Sequence, residues 1–94
     1  MIVAETRIII THEVGLHARP ASLFVQEAKK YEASVRVKNL TTDTALVNAK
    51  SILGILTLGV LRDHEIHIET DGEDAEAAIA GLCSLIESNF GEGA

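Results

Sequence analysis

The segment Gly15-Leu16-His17-Ala18-Arg19-Pro20-Ala21 puts an imidazole, a guanidinium and the single proline of the chain side by side. Gly15 suits the positive φ of a sharp turn, and Pro20 suits the first turn of a helix, where its missing N–H costs nothing. His17 then stands at or just before a helix N-terminus. The positive end of the helix favours a neutral, nucleophilic ring there, and the unpaired N–H groups of Ala18 and Arg19 can receive an anion. The Arg19 guanidinium adds paired donors for phosphate oxygens. These are the parts of a histidine that takes up a phosphoryl group. The plainer alternative, a polar residue that only opens a helix, stands beside it on the residues alone.

The elements that must hold this segment are legible as periodicities. Ser34-Val35-Arg36-Val37-Lys38 and Glu65-Ile66-His67-Ile68-Glu69 alternate in polarity, and Ile8–Ile10, all β-branched, and Ala45–Ala49, centred on Val47, add two further strands. The alternation predicts a sheet with one covered face and one wet face. Helices are predicted over Pro20–Lys30, with Ala21, Phe24, Val25 and Ala28 inward, and over Asp74–Ser88, with Ala75, Ala78, Ile79, Leu82, Leu85 and Ile86 inward. A shorter one, Ser51–Leu58, carries Ile52, Ile55 and Leu56 on one side, has Ser51 as its N-cap and stops at Gly59. Acidic residues before the last helix suit its positive end. The order is β-α-β-β-α-β-α, an α+β layer pair, with one domain over 1–90 and a frayed tail over 91–94.

Composition limits what such a domain can do. At 94 residues, 47% hydrophobic and 23% charged, the chain has the makeup of one globular unit. A formal charge of −6 argues against nucleic acid as a partner, since phosphate backbones repel such a surface. The run Ile52–Leu61 is broken by Gly54, Thr57 and Gly59 and is too short to span a bilayer, so no membrane insertion is expected. Cys83 has no second cysteine to pair with, and Met1–Glu5 lacks the basic-then-apolar order of a secretory signal; a cytoplasmic protein is the expectation.

Other reactive side chains give weaker signals. His64 and His67 are three apart near a strand, so they should face opposite sides and not share a metal. His12 precedes the glycine turn without belonging to a pattern of its own. Cys83 lies between Leu82 and Leu85 and reads as a packed residue. No base, nucleophile and orienting group for hydrolysis stand out beyond His17.

Gly15-Leu16-His17-Ala18-Arg19-Pro20-Ala21 resembles the active-site signature of the HPr family, the histidine-containing phosphocarrier proteins of the phosphoenolpyruvate-dependent sugar phosphotransferase system. Ala49-Lys50-Ser51-Ile52-Leu53-Gly54 resembles the segment around that family's regulatory serine, and the two occur in the family's order over nearly the whole chain. The resemblance implies an open-faced β-sandwich, a four-stranded antiparallel sheet covered on one face by three helices. It implies a stoichiometric carrier rather than an enzyme, with no cofactor and no metal. His17 would accept a phosphoryl group on Nδ1 from the phosphohistidine of enzyme I and pass it to sugar-specific IIA components. Arg19 would stabilise the charge, with Ala18 and Arg19 at the helix start binding the phosphate.

By the same resemblance, Ser51 would be the target of an HPr kinase/phosphorylase, and Ile52, Leu53 and Leu56 would form the surface that docks enzyme I, IIA components and a catabolite-control repressor. At least one of Ile52 and Leu56 is expected to be core instead. A monomer is expected. Two other readings stay open: a regulatory binding module acting through Ser51, and a carrier for a nitrogen-regulatory or dihydroxyacetone-kinase branch. The chain departs from many family members in a longer Asn39–Thr44 loop and in Glu13, which would repel phosphate if it pointed inward.

Overall fold

The computed structural model describes residues 2–92. The elements follow in the expected order: β1 (Val3–Ile9), α1 (Ala18–Ala28), β2 (Ser34–Asn39), β3 (Val47–Asn48), α2 (Ile52–Thr57), β4 (Glu65–Asp71), α3 (Ala75–Glu87) and a closing 3-10 turn, Asn89–Gly91. The strands form one antiparallel sheet in the order β1-β4-β2-β3. Alternation sets its two faces. Ile66, Ile68 and Thr70 of β4 and Val35, Val37 and Asn39 of β2 are buried, while the residues between them look outward. Register stacks Ile8 on Ile66 and Val37 on Ile68, which gives the helices a continuous apolar floor.

The helices cover that floor as their periodicity predicts. Helix α1 buries Pro20, Ala21, Phe24, Val25 and Ala28, and α3 buries Ala75, Ala78, Leu82 and Ile86, with Ile79 and Leu85 packed partly against the same core. Helix α2 differs from expectation. Ile52 is 42% exposed and Leu56 39%, so neither is core; Ile55, at 0%, takes the inward position. Six residues make less than two turns, and such a helix seats few side chains against a sheet. Its start and stop agree with the sequence: Ser51 Oγ accepts the Gly54 N–H at 3.1 Å, and Gly59 follows with φ of 57°.

Two strands have other bounds than the residue types suggest. Strand β1 begins at Val3 rather than Ile8, because an edge strand pairs on one side only and accommodates Glu5 and Arg7 on its open face. Ile10 lies past its end, fully buried, with its N–H on His64 O at 2.9 Å. Strand β3 is only Val47–Asn48, although Ala49 N–H still reaches Val35 O at 2.9 Å.

The Asn39–Thr44 loop is organised by Asn39. Its buried amide donates to Leu58 O and faces His64 Nδ1, both at 3.1 Å, while its carbonyl oxygen accepts Thr41 N–H at 3.0 Å. One side chain thus ties the end of β2 to the exit of α2 and the approach to β4, and its polar atoms are satisfied inside the core.

Asp74 stands at the start of α3 but caps another segment. Its carboxylate accepts Glu32 N–H at 2.9 Å and Ala33 N–H at 2.8 Å, fastening the chain that enters β2. Those two donors hold its carboxyl below the usual carboxylate range. A depressed folded-state value means that the stabilisation is present above the ordinary carboxylate range and is lost as pH falls through the folded value. Asp74→Asn should therefore lower the melting temperature at neutral pH, and the gap from the parent should close below about pH 4. Thermal melts of both proteins across pH 2–7 read this out.

Candidate functional site

The turn before α1 is fixed by backbone contact with the segment that follows α2. Leu16 N–H donates to Val60 O at 3.0 Å, and Gly15 N–H to His12 O at 2.9 Å. Gly15 has φ of 67°, and a Cβ on it would stand 2.1 Å from Val60 O, so only glycine fits. Leu16 is fully buried and Pro20 is buried. His17, half-exposed between them, is the N-cap of α1 with extended backbone, φ −130° and ψ 166°, and its ring makes no capping bond. The ring is thereby left available for chemistry at the mouth of the helix.

Ala18 follows with φ of 51°, a left-handed conformation that costs a residue with a Cβ roughly 1 kcal/mol or more. The first helical N–H to find a carbonyl is that of Ala21, on His17 O at 3.4 Å. Pro20 has no N–H, so among the described residues Ala18 and Arg19 carry the unsatisfied donors of this helix start. The sequence-predicted pair is therefore placed together beside His17.

The Arg19 guanidinium is engaged from the far end of the chain. Nη1 donates to Phe90 O at 3.0 Å and lies 3.5 Å from the Glu92 carboxylate. Asn89 and Phe90 both have positive φ, 55° and 57°, which turns the chain after α3 back toward the helix start. Glu92 also pairs with His12 Nε2. Residues placed in the tail by their sequence thus reach the site: Gly91 and Glu92 are described, while Gly93 and Ala94 lie outside the described residues.

His12, Phe90 and Glu92 are the site neighbours that sequence reasoning missed. Glu92 is 80 residues from His12, and no local pattern links them. The one available signal was Phe90, a large aromatic in an otherwise small and polar tail, which asks for a place to be buried. Glu13 is exposed in the turn.

Ser51 lies half-buried at the start of α2, its hydroxyl oxygen occupied as the cap. Next to it Ile52, Leu53 and Leu56 are 42%, 73% and 39% exposed, and Val14 in the turn before His17 is 43% exposed. Because Gly15 and Leu16 lean on Val60, the exit of α2 adjoins the turn that carries His17.

The remaining reactive groups sit elsewhere. His64 Nδ1 accepts Leu61 N–H at 3.1 Å and faces Asn39. His67, on the open sheet face, pairs with Glu69 at 3.2 Å; with Glu5 across the β1–β4 register these bring three metal-competent ligand atoms within 4.8 Å. Arg36 already binds Glu69 at 3.4 Å. Burial pushes the Cys83 thiol up, which makes it a poor nucleophile. Among the described residues no helix is long and apolar enough to cross a membrane.

Comparison with known proteins places this geometry. Residues 4–88 match the family described as "PTS HPr component phosphorylation site". The multiphosphoryl transfer protein of Vibrio cholerae is 45% identical over 84 residues, covering 89% of this chain and 21% of its own. The one from Haemophilus influenzae is 46% identical over 88 residues, covering 94% and 18%. The chain thus spans about a fifth of these relatives. Among solved structures, HPr from Thermoanaerobacter tengcongensis superposes with a TM-score of 0.90 at 46% identity, covering 97% of this chain and 99% of that one. The phosphocarrier protein HPr of Bacillus anthracis gives 0.82 at 39% identity, covering 89% and 96%.

The turn geometry makes a direct prediction. Gly15→Ala should destabilise the fold by about 2 kcal/mol or more, from the left-handed φ and the clash with Val60 O together. Denaturant unfolding measures the loss, and amide shifts of Leu16–Arg19 report the displaced turn.

Proposed function

The chain belongs to the PTS HPr family, and from that premise we propose that it carries a phosphoryl group on His17 between a phosphorylated donor protein and a phosphoryl-accepting partner. The observation that supports this reading is an uncapped imidazole at the N-cap of α1, beside the free N–H groups of Ala18 and Arg19. In the transfer, the Nδ1 lone pair of His17 attacks phosphorus while the bond from phosphorus to the donor histidine nitrogen breaks. The donor ring, protonated on its other nitrogen, keeps that electron pair and leaves as a neutral imidazole. With the His17 proton on Nε2, no proton has to move.

The metaphosphate-like group then needs position and charge compensation more than covalent help. Two backbone N–H groups and the guanidinium of Arg19 supply it. The donor is enzyme I and the acceptors are IIA components, docked on Val14, Ile52, Leu53 and Leu56, an apolar patch beside a small polar centre. Incubation with phosphoenolpyruvate and catalytic enzyme I should add one acid-labile phosphoryl group, read by mass spectrometry. His17→Ala should abolish it, and Arg19→Ala should slow it on the order of 10- to 100-fold. Failure of the parent chain to gain mass overturns the reading.

Ser51 supports a second, regulatory reading. A phosphate on its hydroxyl would displace the cap to Gly54 and set a dianion against Ile52 and Leu53, on the surface that partners use. An ATP-dependent serine kinase should modify the parent and not Ser51→Ala, and the phosphoserine form should accept from enzyme I more slowly. Mass analysis of an unmodified parent would remove this reading.

A further inference from the structure

His12 is buried, 7% exposed, and the chemistry above makes no use of it. Its Nδ1 accepts the Val14 N–H at 3.2 Å. In the neutral ring the proton therefore sits on Nε2, and Nε2 faces the Glu92 carboxylate. The imidazole also meets the Phe90 ring edge-on, centroids 5.7 Å apart at 82°. Phe90 and Glu92 are the two residues whose oxygens hold the Arg19 guanidinium. All four contacts converge on a single short strap, turned back by the positive φ of Asn89 and Phe90.

Building on the phosphocarrier reading, we propose that His12 is a positioning residue for Arg19. By bracing the strap Asn89–Glu92 through Phe90 and Glu92, it fixes where the guanidinium stands at the mouth of α1. Two physical consequences follow. A guanidinium held at Nη1 loses less freedom when its other donors meet phosphate, because part of the ordering is already done. The Glu92 carboxylate, like-charged with the phosphoryl group, is shared between the imidazole donor and Nη1 and so stays off the remaining guanidinium donors, which phosphate needs. His12 touches neither the phosphoryl group nor His17 in this arrangement; it acts through the strap.

The test uses the full chain and phosphoramidate, a small-molecule phosphoryl donor, so that no partner protein enters. His12→Phe keeps a ring but removes both nitrogens; the rate of phosphohistidine formation at His17 should fall about fivefold. His12→Gln, which retains a donor toward Glu92, should recover most of that rate. In an Arg19→Ala background His12→Phe should cause no further loss, because its effect runs through the guanidinium. Nitrogen-15 relaxation of Arg19 Nε should show a more mobile side chain in His12→Phe and in Glu92→Ala, the second variant lying on the exposed strap and leaving the buried ring in place. An undiminished rate in His12→Phe and Glu92→Ala, or an equal loss in the Arg19→Ala background, overturns the proposal. If the parent takes up no phosphoryl group at His17, the carrier reading fails by itself, and Arg19 relaxation alone decides the role of His12: unchanged mobility overturns it.

Discussion

The approach of the Gly15-Leu16 backbone to Val60 governs the working end of this molecule. A hydrogen bond of 3.0 Å from Leu16 to Val60 O, and a glycine that leaves no room for a Cβ, press the loop after β1 onto the segment that leaves α2. Everything functional hangs from that contact. It buries Leu16, sets His17 at the N-cap in extended conformation, and delivers Pro20 to the first turn of α1, where the proline leaves Ala18 and Arg19 as the unsatisfied donors. It also sets the segment that leaves α2 against the turn that carries the histidine. The site is assembled from a turn, a helix start and the segment that follows a neighbouring helix.

Polar groups inside the fold do the fine adjustment. Buried polar atoms are expensive unless paired, and among the described residues the three buried polar side chains are each paired in a way that joins separate elements. Asn39 links β2, the end of α2 and the approach to β4; Thr70 Oγ1 donates to Ala75 O at 2.8 Å and ties β4 to α3; His12 links the pre-helical turn to the strap after α3. Asp74 adds a fourth tie from a more open position. Such pairings specify one arrangement of segments, whereas apolar contact alone tolerates small shifts. The strap is the case closest to the chemistry, since its carbonyl and carboxylate reach the guanidinium beside the histidine.

Much of this was readable from residue order. Strict alternation in β2 and β4 and the helical spacing of α1 and α3 record the sheet's two faces and the helices' buried sides, because burial imposes those periods directly. The motif around His17 is local too: glycine, histidine and proline report a turn, an N-cap and a first helical turn through their own backbone preferences. Signals failed where packing and not local preference decides. β1 carries Glu5 and Arg7 on an edge whose open face tolerates them, and the inward choice in α2 among Ile52, Ile55 and Leu56 depends on how a six-residue helix happens to sit.

Residue order alone was therefore enough for the candidate histidine, the donors next to it in the chain, the element order and the sheet's buried face, all properties set within a few residues. Long-range packing selects which side chains surround that residue from afar: Val60 under the turn, Phe90 and Glu92 on the guanidinium, and His12 behind them. Those partners lie 71 to 80 residues apart for the strap contacts, and nothing in local periodicity encodes a meeting at that separation. It is produced when α3 docks on the sheet and two consecutive left-handed residues turn the chain end back toward α1.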